Sequence, residues 1–600
     1  MAKGKILKRS EVPVENTWNL KDMYKSDKEW LEEYEALQKL PAKILKFKGQ
    51  IGKDAAALLK YFKLNDELSI RMSKFTSYAS QKSDEDTANN KYQDFEGKAM
   101  SVYVAVSSAS AFAGPEIMAI PERKLNAFYK EKPALKVYKR NIDKIRKAAA
   151  HILSPAEEAI LAGAGEMAGA AQKVNNVLID ADMKWPDVVD AKGKKHALTG
   201  GTFTVLLEDP NQKFRKQVFE TYYDHLGEYK NTVAATLDGQ FKALKFEANV
   251  RHYNSTLEAA LDSTEVPTSV YLNLIDAVHD NLKPMYKYVR LRKKMLGVKD
   301  LHMYDVYAPI VKNAAKPVSF EKAKKTVLEA LSVLGEDYTD LLKMGFENRW
   351  IDVYENEGKR GGAYSSGCGY PHPYVLLNYH NNLDSMFTLA HEMGHSLHTY
   401  HSVKNQPTNT NDYVIFVAEV ASTCNEVLLM KYLLKNTTDK NERMYLINHF
   451  LDSFKGTIYR QTMFAEFELM MGRMVESGET LTADALCEKY LALNKKYFGP
   501  DMISDPGIAL EWARIPHFFY DYYVFQYATG YSAAVAIANR ILEEGEPAVK
   551  DYKKFLSGGC SQDPISLLKI AGVDMSSPEP VNSALKLFGE LVDELEKLQK

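Results

Sequence analysis

The chain has 600 residues, 45% of them hydrophobic and 26% charged, which is ordinary for a globular protein large enough to need more than one hydrophobic core. A formal net charge of −2 gives no reason to expect binding to nucleic acid or to an anionic membrane. No apolar run is long enough to span a bilayer, and no signal-peptide core follows the basic N-terminus. The four cysteines, Cys368, Cys424, Cys487 and Cys560, form no C-x-x-C pair, so we expect a cytoplasmic protein without disulfide bonds.

Helical patterns dominate the first 200 residues. We predict one helix from Leu58 to Leu68 and a longer one from Asp86 to Ala113, which Gly114-Pro115 then ends. The pattern changes near residue 184, and the glycine-punctuated, β-prone run 200–207 predicts a hairpin or an exposed arm. Because helical patterns resume after residue 210, we place a domain boundary near residue 200, which divides the chain into residues 1–200 and 201–600.

The clearest strand pattern lies at Tyr374–Tyr379, a short apolar run bounded by Pro373 and by polar residues 380–382. The segment 361–369 just before it is rich in glycine and small residues. We expect an edge strand here, because an extended peptide can pair with such an edge through main-chain hydrogen bonds. The other interpretation is a core strand that closes a small sheet, and one edge strand could serve both roles.

The segment His391-Glu392-Met393-Gly394-His395 matches H-E-x-x-H, the pattern of a zinc-dependent peptide hydrolase. Residues i and i+4 lie on one face of a helix, so the two imidazoles can bind one Zn²⁺ ion together. Glu392 lies on the adjoining flank, from which its carboxylate can reach the attacking water.

The surroundings of the motif favour a helix that begins near Ser385, with Asn382 or Asp384 as its cap. Gly394 costs about 1 kcal/mol in a helix interior relative to alanine. We therefore expect another part of the backbone to approach the helix closely at Gly394.

Catalytic zinc usually has three protein ligands, and two residues are candidates for the third. His398 lies roughly on the face of His391, but the two start about 10 Å apart along the helix axis, which is awkward for one ion. Glu419 is a carboxylate inside the apolar run 414–421, where a metal would offset the cost of burying it. Ser422 and Glu426 share its helical face and are candidates to hydrogen bond with the ligands.

The segment 515–531 is unusually rich in aromatic residues and also contains His517. Tyrosine hydroxyls and an imidazole are suitable donors for the oxyanion that forms during peptide hydrolysis. Packing in a core is the alternative role for most of these rings, and spacing alone does not choose among them.

The chain resembles oligoendopeptidase F, within the thimet-oligopeptidase-like zinc peptidases. Besides the H-E-x-x-H segment, the likeness rests on residues 251–261, 304–307, 362–364 and 373–379 and on the aromatic segment, and it extends over essentially the whole length. The resemblance implies a mainly α, zincin-type fold: a helical ellipsoid with a deep internal groove and a small β-sheet beside the zinc helix. Residues 1–200 would then cover the groove, and residues 201–600 would form the catalytic region.

The resemblance also implies an activity, namely hydrolysis of internal peptide bonds in short, unfolded peptides with one Zn²⁺ ion per chain. It assigns the metal to His391, His395 and Glu419, which favours Glu419 over His398. Glu392 is then the general base, and His517, Tyr520 and Tyr527 act on the substrate side of the zinc. We expect the substrate backbone to contact Gly362, Ala363, Tyr374 and Leu376. A zinc carboxypeptidase, a metal hydrolase that releases acyl groups, and a non-enzymatic peptide-binding protein are the alternatives.

Overall fold

The computed structural model describes residues 6–311, 316–366 and 369–600, and these residues are mostly helical. The chain forms two compact units, and each unit is built from three separate segments. The first unit consists of residues 1–150, 316–429 and 537–572, and the second of residues 151–315, 430–536 and 573–600. The mainly α fold with small sheets is confirmed, but neither unit begins or ends at residue 200.

The first unit has α-helices at Asp27–Leu37, Leu40–Ile44, Ala55–Asp84, Asn90–Ser110, Ala113–Met118, Glu122–Glu131, Lys139–Lys147, Phe320–Ala330, Glu336–Glu347, Leu383–Asn405, Glu546–Leu556 and Pro564–Ile570. The second unit has α-helices at Pro155–Ala168, Ala170–Val177, Gly200–Leu206, Gln212–Gly227, Lys230–Val250, Thr256–Asp262, Thr268–Asp280, Leu282–Leu296, Lys440–Phe454, Arg460–Glu476, Ala483–Phe498 and Glu579–Gln599. The boundaries of the units fall inside two further helices, Ile415–Asn436 and Phe525–Glu544.

The predicted N-terminal helices are present with different ends. Leu58–Leu68 is part of a helix of 30 residues, Ala55–Asp84, which the side chain of Asp54 caps. The second helix runs from Asn90 to Ser110. Among the described residues, no single helix is long and apolar enough to cross a membrane. The segments Asn90–Met118 and Glu122–Glu131 meet the length and hydropathy criteria only when they are taken together, and the chain bends by 104° between them.

The prediction of β structure at residues 200–207 is wrong, because this segment forms the helix Gly200–Leu206. Thr199 caps the helix by accepting a hydrogen bond from the backbone N–H of Thr202. Phe203 is buried and stacks on Tyr222, with ring centroids 4.0 Å apart. The cap and this burial outweigh the entropic cost of two glycines in the first turn.

A small three-stranded sheet lies in the first unit. The central strand, Tyr374–Leu376, is parallel to Ile351–Asp352 on one side and antiparallel to the edge strand, Tyr364–Ser366, on the other. The prediction of an edge strand at Tyr374–Tyr379 is therefore wrong. All three residues of the central strand are fully buried, and a continuous apolar run is what a strand covered on both faces requires.

A buried cluster of charges fixes one side of this sheet. Asp352 is 1% exposed and accepts hydrogen bonds from Arg9, at 2.9 Å, and from Lys359, at 2.7 Å. Burial raises the pKa of the Asp352 carboxyl, but the two cations hold it below its usual value. Lys359 also donates to the carbonyl of Leu377, just beyond the central strand. Because removing one partner of such a buried pair costs about 3–5 kcal/mol, the cluster holds the strands in place.

Candidate metal centre

Two helices carry the residues that the sequence assigned to a metal site, and all of these residues lie in the first unit. The histidine helix, Leu383–Asn405, begins after Asn382, whose side chain accepts a hydrogen bond from the backbone N–H of Ser385. The glutamate helix, Ile415–Asn436, carries Glu419 in its second turn. The predicted histidine helix is confirmed, although it begins at Leu383 and not near Ser385. Of the two candidate caps, Asn382 and Asp384, it is Asn382 that caps the helix.

The two helices touch through their backbones at Gly394. A Cβ atom at this position would lie 2.6 Å from the Cα of Ser422 and 2.7 Å from the carbonyl oxygen of Ala421. Neither of these backbone atoms can move aside like the end of a side chain, so only glycine fits. The expectation of a close backbone approach at Gly394 is therefore confirmed.

Asn425 joins the same two helices and was missed by the sequence reasoning. Its side chain is completely buried and donates to the carbonyl oxygen of Ala390 at 3.0 Å. Its amide oxygen accepts a hydrogen bond from the hydroxyl of Tyr338 at 2.9 Å. The sequence gives little indication of this role, because nothing in it shows that the Asn425 amide, six residues after Glu419, meets a carbonyl group of the other helix.

The contact brings three potential ligand atoms together. The Nε2 atoms of His391 and His395 are 3.1 Å apart, and each lies 3.3 Å from Oε2 of Glu419. Ligands at the usual zinc bond lengths and at tetrahedral angles lie about 3.3 Å from one another. The three atoms therefore fit one face of a zinc coordination tetrahedron, and no other set of at least three His, Cys, Asp or Glu ligand atoms is grouped in this way among the described residues.

Two neighbours orient the ligand atoms. Glu426 accepts a hydrogen bond from Nδ1 of His391 at 2.5 Å, which holds the ring so that Nε2 faces the other two ligand atoms. Ser422 donates to Oε2 of Glu419 at 3.2 Å. The expectation that Ser422 and Glu426 contact the ligands is confirmed.

The electrostatics of the two carboxylates differ. Burial by itself raises the pKa of the Glu419 carboxyl, but hydrogen bonds from His391 and His395 hold it well below its usual value. Glu419 is therefore an anion, as a carboxyl group must be to bind a metal. Glu392 is 6% exposed, and burial raises the pKa of its carboxyl, an effect that the two neighbouring histidines oppose. Glu392 is consequently a stronger base than a solvent-exposed glutamate.

His398 lies outside the group of three ligand atoms. Its ring stacks on Tyr413 with centroids 3.8 Å apart and an interplanar angle of 3°. The side chain is buried, and this burial lowers its pKa to about 3. His398 is thus a neutral histidine packed between aromatic rings.

The predicted substrate contacts fall at different places in the sheet. Gly362 and Ala363 immediately precede the edge strand, and the carbonyl of Gly362 accepts a hydrogen bond from the side chain of Asn378. Tyr374 and Leu376 are fully buried in the central strand, whose two edges are already paired. The two outer strands of this sheet are Ile351–Asp352 and Tyr364–Ser366. Beside the first of them, the backbone of Val353 bonds to Asn16 and that of Arg349 to Asn19.

The predicted oxyanion donors belong to the second unit, where their rings cluster. The ring centroid of His517 lies 5.5 Å from that of Tyr520 and 6.1 Å from that of Tyr527. Tyr523, which the sequence reasoning left out, also joins the cluster, at 5.5 Å from Tyr527. Burial lowers the pKa of His517, which favours its neutral form.

The backbone between these rings is held in a strained form. Asp521 and Tyr522 both have positive φ angles, 50° and 62°, which cost roughly 1–3 kcal/mol each in residues other than glycine. Glu468 accepts a hydrogen bond from the backbone N–H of Tyr522, and Gln240 donates to the carboxylate of Asp521. Thr256 and the hydroxyl of Tyr522 are hydrogen bonded at 2.8 Å. These contacts fix the segment that carries the predicted donors.

Comparison with known proteins gives one consistent family. The model described as "Peptidase family M3" matches residues 205–587, and the model described as "Oligopeptidase F" matches residues 116–185. The chain is 47% identical to oligopeptidase PepF of Bacillus subtilis over 98% of this chain and 88% of that protein.

Solved structures agree with this result. A crystal structure from Chlamydophila abortus matches with a TM-score of 0.92 and 33% identity, over 99% of this chain and all of the other. The crystal structure of oligoendopeptidase-F from Enterococcus faecium matches with a TM-score of 0.75 and 36% identity, over 95% of this chain and 99% of the other.

We expect Gly394→Ala to lose zinc and thermal stability, because the added methyl group forces the two helices apart. Gly97→Ala is the matched control, since a Cβ there meets nothing within 4 Å and should stabilise its helix by up to about 1 kcal/mol. Metal analysis and melting temperatures of both variants test this. A Gly394→Ala protein with full zinc and the wild-type melting temperature would contradict the role of this contact.

The identity of the third ligand can be tested in the same way. Glu419→Ala should lower both zinc content and activity, because only two protein ligands, the imidazoles of His391 and His395, then remain to hold the ion. His398→Ala should keep its zinc and lose mainly stability, because it removes the stacking on Tyr413. Full zinc in the first variant together with loss in the second would reverse the assignment.

Proposed function

Since the chain belongs to peptidase family M3, we propose that this metalloendopeptidase uses zinc to hydrolyse internal peptide bonds of short oligopeptides. The observation that carries the proposal is the triangle of His391, His395 and Glu419, whose edges of 3.1–3.3 Å suit a zinc ion. When bound, zinc supplies Lewis-acid polarisation of the scissile carbonyl and lowers the pKa of water.

In this proposal Glu392 is the general base. Its buried carboxyl, with a raised pKa, accepts a proton from the attacking water and returns it to the leaving amine. The position next to His391 in the histidine helix supports this role, because the carboxylate is attached to the same rigid element as two of the ligands.

We propose that the substrate pairs with the edge strand Tyr364–Ser366 in place of the central strand. The hydroxyls of Ser365 and Ser396 are hydrogen bonded at 2.9 Å, and Ser396 directly follows His395. This bond supports a peptide alignment beside the metal ligands, since main-chain pairing with an exposed edge positions a peptide without reading its sequence. Gly362 and Ala363 extend the same edge, whereas Tyr374 and Leu376 would act only by supporting it.

His517, Tyr520 and Tyr527 are proposed as donors to the oxyanion, on the basis of the family resemblance and of their clustering in the second unit. Neutral imidazole and phenol groups can donate such hydrogen bonds without carrying a charge of their own.

The activity is tested by digesting a defined set of unstructured peptides of several lengths, with and without a chelator, and reading the products by mass spectrometry. Internal cleavage of peptides blocked at both ends, abolished by the chelator and restored by Zn²⁺, is the expected result. Cleavage that requires a free C-terminal carboxylate would indicate a carboxypeptidase instead.

Glu392→Gln should retain zinc and lower kcat by about two to four orders of magnitude, because the amide keeps the shape of the side chain and removes the base. Steady-state rates on fully metallated protein measure this effect. Turnover near that of the wild type would remove Glu392 from the mechanism.

Tyr527→Phe should lower kcat by about two to three orders of magnitude with little change in KM, zinc content or melting temperature, because one transition-state donor is lost while the ring remains. Tyr531→Phe is the control, since the Tyr531 ring packs on Phe454 with centroids 5.1 Å apart. Equal kinetics for the two variants would indicate that Tyr527 has only a packing role.

A further inference from the structure

A cavity of about 810 Å³ opens in the first unit at the C-terminal end of the histidine helix. Its walls are the last two turns of that helix and the helices Glu336–Glu347 and Glu546–Leu556. Among the described residues that line it, four are lysines and two carry carboxylates, so positive charge is in excess. We refer to it as the basic cavity.

Three of the lysines lie on one helix and share one face of it. Lys550, Lys553 and Lys554 are spaced i, i+3 and i+4, and like charges at this spacing repel one another. Lys553 is paired with Asp337, and Lys554 is paired with Asp551 at 3.1 Å. Lys550 is exposed and forms no ion pair with any residue that the structure describes. The helix therefore presents one uncompensated ammonium group to the cavity.

The histidine helix adds the fourth lysine. The ammonium group of Lys404 lies 5.6 Å from the ring centroid of Tyr400, and within the described chain it has no carboxylate partner. The helix dipole favours a cation in the last turn of a helix, which explains Lys404 but not Lys550, in the middle of its own helix. Two helices thus bring two unpaired cations to the same cavity.

His401, which also lines the cavity, responds to this excess of charge. The pKa of His401 is lowered to about 4 by burial and by the charges of Lys553 and Lys404, against the opposing effect of Asp337. Two ammonium groups therefore act on an imidazole in the cavity wall, which indicates a positive potential there. A bound anion would relieve the repulsion among these groups.

We propose that the basic cavity binds a phosphate dianion, either inorganic phosphate or the head of a small phosphate ester. A phosphate monoester carries a charge of about −1.5 to −2 at pH 7 and has three strong acceptor oxygens. Lysine ammonium groups only donate, so one dianion can pair with both Lys404 and Lys550. A carboxylate has a single charge and leaves one of the two lysines uncompensated. The volume of the cavity leaves room for the organic part of an ester.

The carboxylate of Glu546 is the competitor of the anion. Glu546 lines the cavity and lies one helical turn before Lys550, a spacing at which opposite charges attract. Removing this carboxylate should therefore strengthen the binding of phosphate, whereas removing either unpaired lysine should weaken it.

The test is calorimetric titration of the zinc-loaded protein with inorganic phosphate and with glycerol 2-phosphate, at an ionic strength held constant with chloride. Glycerol is the control without phosphate. We expect saturable binding of at least one of the two phosphates, at one site per chain, and no binding of glycerol. The phosphate that binds should also raise the melting temperature above its value in chloride. Binding of one phosphate alone identifies the source of the anion.

Substitutions then locate the site. Lys404→Gln and Lys550→Gln should each weaken the binding by about ten-fold, because each removes one charge-assisted hydrogen bond. Glu546→Gln should strengthen it several-fold, and Lys404→Arg, which keeps the charge, should restore most of it. Lys124→Gln is the matched control, since the Lys124 ammonium also lies 5.6 Å from a ring centroid, that of Phe128, but outside the cavity.

Three results would overturn the proposal. The first is that neither phosphate binds saturably. The second is that the double variant Lys404→Gln with Lys550→Gln keeps the affinity of the wild type while the binding disappears on removal of zinc, which would place the phosphate at the metal centre. The third is an equal loss in Lys124→Gln, which would indicate attraction by overall charge. None of these measurements involves peptide hydrolysis, so their outcome is independent of the proposed function.

Discussion

The close contact between two helix backbones at Gly394 is the constraint on which the candidate metal centre depends. Because Gly394 lacks a side chain, the glutamate helix approaches the histidine helix until Ser422 and Ala421 touch its backbone. The buried amide of Asn425 then bonds to the carbonyl of Ala390 and fixes how far one helix can slide along the other. Only at this separation and register does a short carboxylate on one helix reach the two imidazoles of the other.

The same contact also orients the groups around the site. Once the helices are in register, Glu426 lies against Nδ1 of His391, and Ser422 lies against the carboxylate of Glu419. These bonds orient the ring of His391 and the carboxylate of Glu419, whose ligand atoms lie close to Nε2 of His395. Three potential ligand atoms on partly buried side chains thus lie close together, in an arrangement that a cation can bind.

In the proposed function, the sheet links this centre to peptide recognition. Asp352, with Arg9 and Lys359, anchors the strands on one side, and Ser365 ties the edge strand to the residue after His395. The edge strand also lines a cavity between the helices Ala55–Asp84 and Asn90–Ser110. Main-chain hydrogen bonds do not distinguish one substrate side chain from another. Any preference of the enzyme for a particular substrate residue must therefore come from cavities that contact its side chain.

The sequence by itself determined the local features. The H-E-x-x-H spacing, the cap at Asn382 and the carboxylate of Glu419 within an apolar run are patterns of helix periodicity and local composition, and both are encoded over short distances. Tertiary structure decided the rest. Neither the central place of Tyr374–Leu376 nor the helix at Gly200–Leu206 follows from local pattern, because pairing partners and the burial of Phe203 come from distant segments. Likewise, Lys404 and Lys550 lie in ordinary helical patterns far apart in the chain, and only the packing of their two helices brings both side chains to one cavity.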